Sequence, residues 1–226
     1  MLIVNIIGFG PTYFLKPIMD SPELPIMTHI HGIIFTSWFL LFFIQVILIK
    51  NRRIKLHRSM GKLGGVLALA MVFSGLQILY YRTLEFDGTK DSLENTALVL
   101  SGNLILLLLF VISTLLGIKY RYKLNFHKRF MLLACISMMP QALGRIGKIP
   151  VDNLVYGLPN EVLFGLGGML SFIGLLWGHD LLSNRRLHPV SGIGGPLIMV
   201  MIILAAVLFP KLTFVRDFII WLNGTT

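Results

Sequence analysis

Residues 28–49 read THIHGIIFTSWFLLFFIQVILI. About 20 apolar residues in a helix span the hydrocarbon of a bilayer, so the run is long enough to cross. It also carries His29, His31, Trp38 and Gln45. Polar groups are expensive in hydrocarbon, so these side chains should face protein or a cavity. At 3.6 residues per turn, positions 31, 35, 38, 42 and 45 share one face. His31, Trp38 and Gln45 then form one stripe, and His29 points to the far side of the helix.

The rest of the chain has the same character. Of its 226 residues, 55% are hydrophobic and only 13% are charged, and the mean hydropathy is +0.80. A soluble domain carries about 25% charged residues. Apolar runs lie at about 1–15, 26–49, 63–81, 96–118, 130–147, 160–179 and 190–210. They predict an all-α, polytopic transmembrane bundle of seven spans, a single transmembrane domain over 1–226. The first run is short and contains Gly8, Gly10 and Pro11, which predicts a tilted, broken or truncated span. The tail from Phe214 to Leu222 is too short to cross and should lie at the interface, anchored by Trp221.

The net charge of +10 does not point to nucleic acid, because the cations sit in short clusters between apolar runs. Lys50, Arg52, Arg53, Lys55, Arg58 and Lys62 follow the second run. Lys119, Arg121, Lys123, Lys128 and Arg129 follow the fourth, and Arg185 and Arg186 the sixth. Positive loops stay inside, which predicts an inner N-terminus and an outer C-terminus for seven spans. The lone cysteine, Cys135, cannot form an intramolecular disulfide, a C-x-x-C-H haem attachment or a cysteine-held iron–sulfur cluster. Gly61 and Gly65 form a G-x-x-x-G pair, with Gly64 and Ala68 at the same spacing. Further glycines lie at 165, 167, 168 and 174. Ordinary close helix packing is the expectation for all of them. Pro140 should kink the fifth span.

Sorted by depth, the outer side holds His29, His31, Gln77, Asn103, Gln141, Arg145 and Glu161. The inner side holds Gln45, His57, His127, His179, Asp180 and His188. His127, Met131, Ala134, Met138, Gln141 and Arg145 make a second stripe if the fifth span is one unbroken helix. Imidazole with carboxylate suits iron, copper or zinc, and imidazoles on facing helices suit haem. His57, His127, Asp180 and His188 are therefore the candidate metal ligands. His31, Trp38, Gln45 and Arg145 are the candidate binding residues for a quinone or lipid-like molecule, with Arg145 placed for an anionic group. For the inner histidines an ordinary basic interface is the competing expectation, since each neighbours Lys or Arg in LHR, FHKR and RRLHP. Those cations would also keep the imidazoles neutral and able to ligate.

Several classes are disfavoured. No acid sits at mid-bilayer, where a carboxylate-based pump needs one. The last long run has no lysine for a retinal Schiff base. No H-E-x-x-H, G-x-S-x-G or phosphate-binding glycine loop occurs.

The ordered series GFGPTYFLKP, HIHG with Trp38 and Gln45, LHRSMG, HKRFMLLA ending in GR, then Asp180 and HP resembles a widespread family of uncharacterised bacterial multi-pass membrane proteins. The likeness covers nearly the whole chain. It implies the bacterial cytoplasmic membrane. More distantly, histidines at span ends are similar to cytochrome oxidase assembly membrane proteins and to b-type cytochrome bundles. That likeness implies haem b or copper handling, with His57 and His127 as ligands. Three functions stay open: redox or cofactor handling through a bound metal or haem, a non-enzymatic carrier or structural subunit joined to other membrane subunits, and an intramembrane zinc hydrolase acting on lipid.

Overall fold

The computed structural model describes residues 1–15, 23–149, 154 and 159–224. Lys16 and Pro17, the end of the GFGPTYFLKP motif, lie outside the described residues. All regular structure among the described residues is helical: α1 (Leu2–Phe9), α2 (Ile26–Lys50), α3 (Ile54–Leu84), α4 (Lys90–Lys119), α5 (Leu124–Ser137), α6 (Pro140–Gly147), α7 (Asn160–Asn184), α8 (Pro189–Val207) and α9 (Thr213–Leu222). Among the described residues, six segments are long and apolar enough to cross a membrane: Ile26–Lys50, Ile54–Thr83, Lys90–Lys119, Leu124–Gly147, Asn160–Asn184 and Pro189–Lys211. The apolar segment Leu2–Phe14 is shorter. It is α1 followed by one π-helical turn, Gly10–Phe14. Pro11 lacks an N–H for the regular ladder, which accounts for a break there.

Some element boundaries differ from those read in the sequence. α3 begins at Ile54 rather than residue 63, so Lys55, Arg58 and Lys62 are on the helix and not in a loop. Lys and Arg are good helix formers and can lift their charges to the interface, so charge does not stop a helix there. α4 begins at Lys90 because Thr89 caps it, accepting from the Ser92 N–H at 3.2 Å. Pro140 ends α5 at Ser137 and opens α6 at its first position. The expected stripe from His127 to Arg145 is therefore split over two helices.

The described residues form two compact units. One comprises Met1–Ser74 and Met138–Phe172, the other Gly75–Ser137 and Ile173–Thr226.

In the first unit, glycines admit several close contacts. A Cβ on Gly8 would stand 2.3 Å from the Ala142 carbonyl oxygen, so α1 meets α6 backbone to backbone. A Cβ on Gly32 would meet the Tyr13 ring at 2.8 Å. One on Gly168 would meet Leu143 at 2.6 Å. The G-x-x-x-G expectation takes a different form. Gly61 and Gly65 face open space, and only Gly64 on the neighbouring face touches Leu41, at 3.4 Å. Small-residue spacing alone does not say which face a helix packs.

In the second unit, α4 and α5 form a hairpin in which the missing side chain of Gly117 admits Met131. Leu79, Ala97, Leu100, Val215 and Ile219 make a core that seats α9. The other face of α9 exposes Phe214, Phe218 and Trp221.

Candidate ligand and cofactor sites

In the first unit, the GFGPTYF and HIHG motifs meet. The Tyr13 hydroxyl donates to the His29 carbonyl at 3.0 Å, and the two rings lie 5.6 Å apart. Gly32 is small because Tyr13 occupies the space beside it. On the other side of α2, His31 stacks on Phe35 with centroids 4.2 Å apart. His31 Nδ1 is buried and has no hydrogen-bond partner. Arg145 donates to the Gln141 carbonyl at 3.2 Å and lies over the Phe9 ring, 4.4 Å from its centroid.

The same stripe of α2 continues inward. Trp38 is 3% exposed. Gln45 Nε2 donates to the His57 carbonyl at 3.3 Å, while Gln45 Oε1 is buried without a partner. The four binding residues read from the sequence, His31, Trp38, Gln45 and Arg145, thus all fall in one unit, with His57 beside Gln45. Phe42 of this stripe also lines an apolar groove of about 200 Å³ with Met1, Leu2, Phe39, Phe43 and Val46.

The second unit holds a polar centre of another kind. Arg129 and Asp180 are 1% and 0% exposed. Arg129 Nε donates to both carboxylate oxygens at 3.0 and 3.2 Å, and Nη2 donates to Oδ1. Ser191 Oγ and the His188 backbone N–H donate to Oδ2, the latter at 3.2 Å. The remaining guanidinium nitrogen, Nη1, donates to the Asn125 carbonyl at 2.8 Å. Trp177 Nε1 donates to the Ser191 carbonyl at 2.8 Å. The pair is thus enclosed in partners, the condition under which buried charges persist.

The candidate metal ligands have distinct placements. His57 is in the first unit; His127, Asp180 and His188 are in the second. His127 Nδ1 lies 2.8 Å from the Gly117 carbonyl. A carbonyl only accepts, so Nδ1 carries the proton and the lone pair sits on Nε2. His188 does the reverse: its Nδ1 accepts from the Val190 N–H at 3.2 Å, capping α8, and the ring packs edge-on against Phe126. Burial, followed by the Arg129 charge, pushes the His188 imidazole below its usual pKa. The neighbouring cations expected from the sequence act in the same direction: Arg129, Lys128 and Arg186 all lower it. Among the described residues, no three of His, Cys, Asp and Glu gather as a metal-binding group.

Sequence reading missed Arg129 and Ser191. Arg129 was counted among the loop cations, yet 129, 133 and 136 share a helix face, and Leu133 and Ile136 are buried. An acid inside an apolar helix also requires a cation partner, so Asp180 itself was the signal.

Fold and sites define a multi-pass α-helical membrane protein with one saturated and one unsaturated polar centre. The chain matches no family model, no curated protein and no solved structure.

Proposed function

We propose that the protein handles a membrane-soluble cofactor or lipid-like small molecule, quinone-like in kind, seated along α2 by His31, Trp38, Gln45 and Arg145. The supporting observation is the pair of buried, unpartnered polar atoms on that stripe, His31 Nδ1 and Gln45 Oε1. A polar atom left so costs about 1–3 kcal/mol, and a ligand that hydrogen-bonds it removes the penalty. In this reading the chain resides in a bacterial cytoplasmic membrane and belongs with the multi-pass family it resembles. It crosses seven times, with Leu2–Phe14 as the first crossing, the N-terminus inside and the C-terminus outside.

A second form of the reading places iron, copper, zinc or haem b on inner histidines. The orientation of His127 favours it, because a bond from Nδ1–H to a carbonyl is how metal-binding imidazoles are commonly fixed. Asp180 does not fit as a ligand, since Arg129, Ser191 and the His188 N–H occupy both its oxygens.

The test is to purify the protein in mild detergent, extract its bound lipids for mass spectrometry, and record metal content and the visible spectrum. A near-stoichiometric aromatic-headed lipid, lost in His31→Ala, is the expected result. A Soret band or stoichiometric metal lost in His127→Ala moves the function to the inner histidines. Neither, with larger membrane proteins co-purifying, replaces both forms with a structural-subunit role.

A further inference from the structure

We propose that the second unit holds an anionic phospholipid whose headgroup carries two phosphates, bridged between the loop from α4 to α5 and the loop from α7 to α8. The site is separate from the α2 seat and does not depend on it.

The two loops lie side by side. Arg129 of α5 reaches Asp180 of α7 at 3.0 Å and the Asn125 carbonyl at 2.8 Å. The same carboxylate accepts from the His188 N–H at 3.2 Å. The Phe126 ring meets the His188 ring with centroids 4.6 Å apart. The first loop brings Lys119, Arg121 and Lys123, with Lys128 one turn into α5, and the second brings Arg185 and Arg186. All of these cations are exposed. Residues 119–129 and 181–188 contain no acid, and Asp180 is enclosed by Arg129, Ser191 and the His188 N–H. Among the described residues, none of the exposed cations forms an ion pair.

An aromatic floor gathers them. Tyr120 stacks on Phe130 with centroids 5.8 Å apart and lies 5.4 Å from Phe126. The ammonium groups of Lys119 and Lys123 each stand 5.8 Å from the Tyr120 centroid. Lys123 also stands 5.9 Å from the Phe126 ring, on the way to the second loop. Arg121 lies 4.6 Å over Tyr122. A ring face attracts a cation without neutralising it. At Arg185 φ is 54°, the left-handed region where glycine is the favoured residue. A topology signal needs only cations in a loop. It needs neither a shared aromatic floor nor an arginine at a glycine position.

The occupant follows from the surroundings. Lys119 ends one apolar helix of membrane-crossing length, and Arg185 follows the end of another. That is the level of lipid phosphates, where basic pockets between helix ends take anionic headgroups. Exposed Leu124 and Leu182 lie four residues from Lys128 and Arg186. Acyl chains cover such side chains, and a soluble polyanion leaves them in water. Each loop carries its own cations, so two linked phosphates suit the pair: once one is bound, the other meets its loop at high effective concentration.

The experiment titrates the delipidated full chain in mild detergent with cardiolipin, phosphatidylglycerol or phosphatidylcholine and reads bound lipid by native mass spectrometry. At equal total phosphate, cardiolipin should be held at least ~10-fold more tightly than phosphatidylglycerol, and phosphatidylcholine should not be retained. Lys123→Gln and Arg186→Gln should each weaken cardiolipin about 5-fold, the worth of one cation at an anionic surface. Lys211→Gln, at the other end of α8, should leave it unchanged. The substituted side chains are exposed, so the variants should fold as the parent does, and the parent's own ratio decides independently. Equal retention of cardiolipin and phosphatidylglycerol overturns the proposal, as does retention unchanged in both loop variants. Displacement of cardiolipin by an equal concentration of inorganic pyrophosphate overturns it in favour of a soluble diphosphate.

Discussion

Replacing Asp180 with Asn removes one charge and almost no volume, and tests whether the Arg129 centre holds the second unit together. The substitution leaves a guanidinium that is 1% exposed without its counter-ion. It also turns part of an acceptor-only group toward the donors Ser191 Oγ and His188 N–H. Breaking a buried pair from one side costs about 3–5 kcal/mol. For a chain of this size each kcal/mol moves Tm by about 2–4 °C, so the drop should be roughly 6–20 °C. The chain supplies its own probe. Cys135 is the sole cysteine and is fully buried, so a fluorogenic thiol reagent labels it only as the protein opens. The double variant Arg129→Met, Asp180→Leu should melt well above Asp180→Asn, since an apolar pair is often as good as a buried ionic one. Two results refute the reasoning: an Asp180→Asn protein that melts with the parent, or a double variant whose loss is the sum of the two single losses.

Three further outcomes follow. Gly8→Ala should cost about 1–3 kcal/mol by overpacking, because its Cβ falls 2.3 Å from the Ala142 oxygen, whereas Gly65→Ala, in open space, should cost nothing; the fraction of monodisperse protein left after heating separates them. The His188 imidazole is pushed below its usual value of 6.5, so the unfolded chain takes up the proton first. Stability from this group is complete above pH 6.5 and is lost as pH falls through the lower folded value, a loss that His188→Asn should abolish in melts from pH 7.5 to 5. Alkaline phosphatase fused after Thr226 should be active in a bacterial host and a fluorescent protein there dark; the opposite pattern removes the seventh crossing.

The helical class and six of the seven expected spans could be read from the sequence because hydropathy over about 20 residues reports directly on what a bilayer tolerates. The Pro140 break was equally readable, because a missing N–H is a local fact. Partners were harder. Arg129 looks like any loop cation until α5 is laid on its face, and Gly61 and Gly65 look like a packing motif although they face open space while glycines such as Gly8, Gly32, Gly147 and Gly168 make close contacts. Which face of a helix turns inward depends on neighbours far away in sequence. The same limit applies to the histidines. Spacing placed His127 and His188 at one depth, but not the hydrogen bonds that give one ring its lone pair at Nε2 and the other at Nδ1.

The contrast between the two polar centres bears on function. Both occur in helices that are otherwise apolar, where a polar side chain must find a partner or leave its group unsatisfied. At Arg129 and Asp180, every donor and acceptor described above is met by protein, and a site already satisfied has nothing left to offer a ligand. At Gln45, Nε2 is satisfied and Oε1 is not, and His31 Nδ1 is buried without a hydrogen-bond partner. Stability alone gives no reason to keep such a residue, since Leu or Phe at either position would remove the unmet polar atom. The unmet hydrogen-bonding capacity lies there, so the structural case for a ligand is strongest at α2 in the first unit, where partners from outside the chain are the missing element.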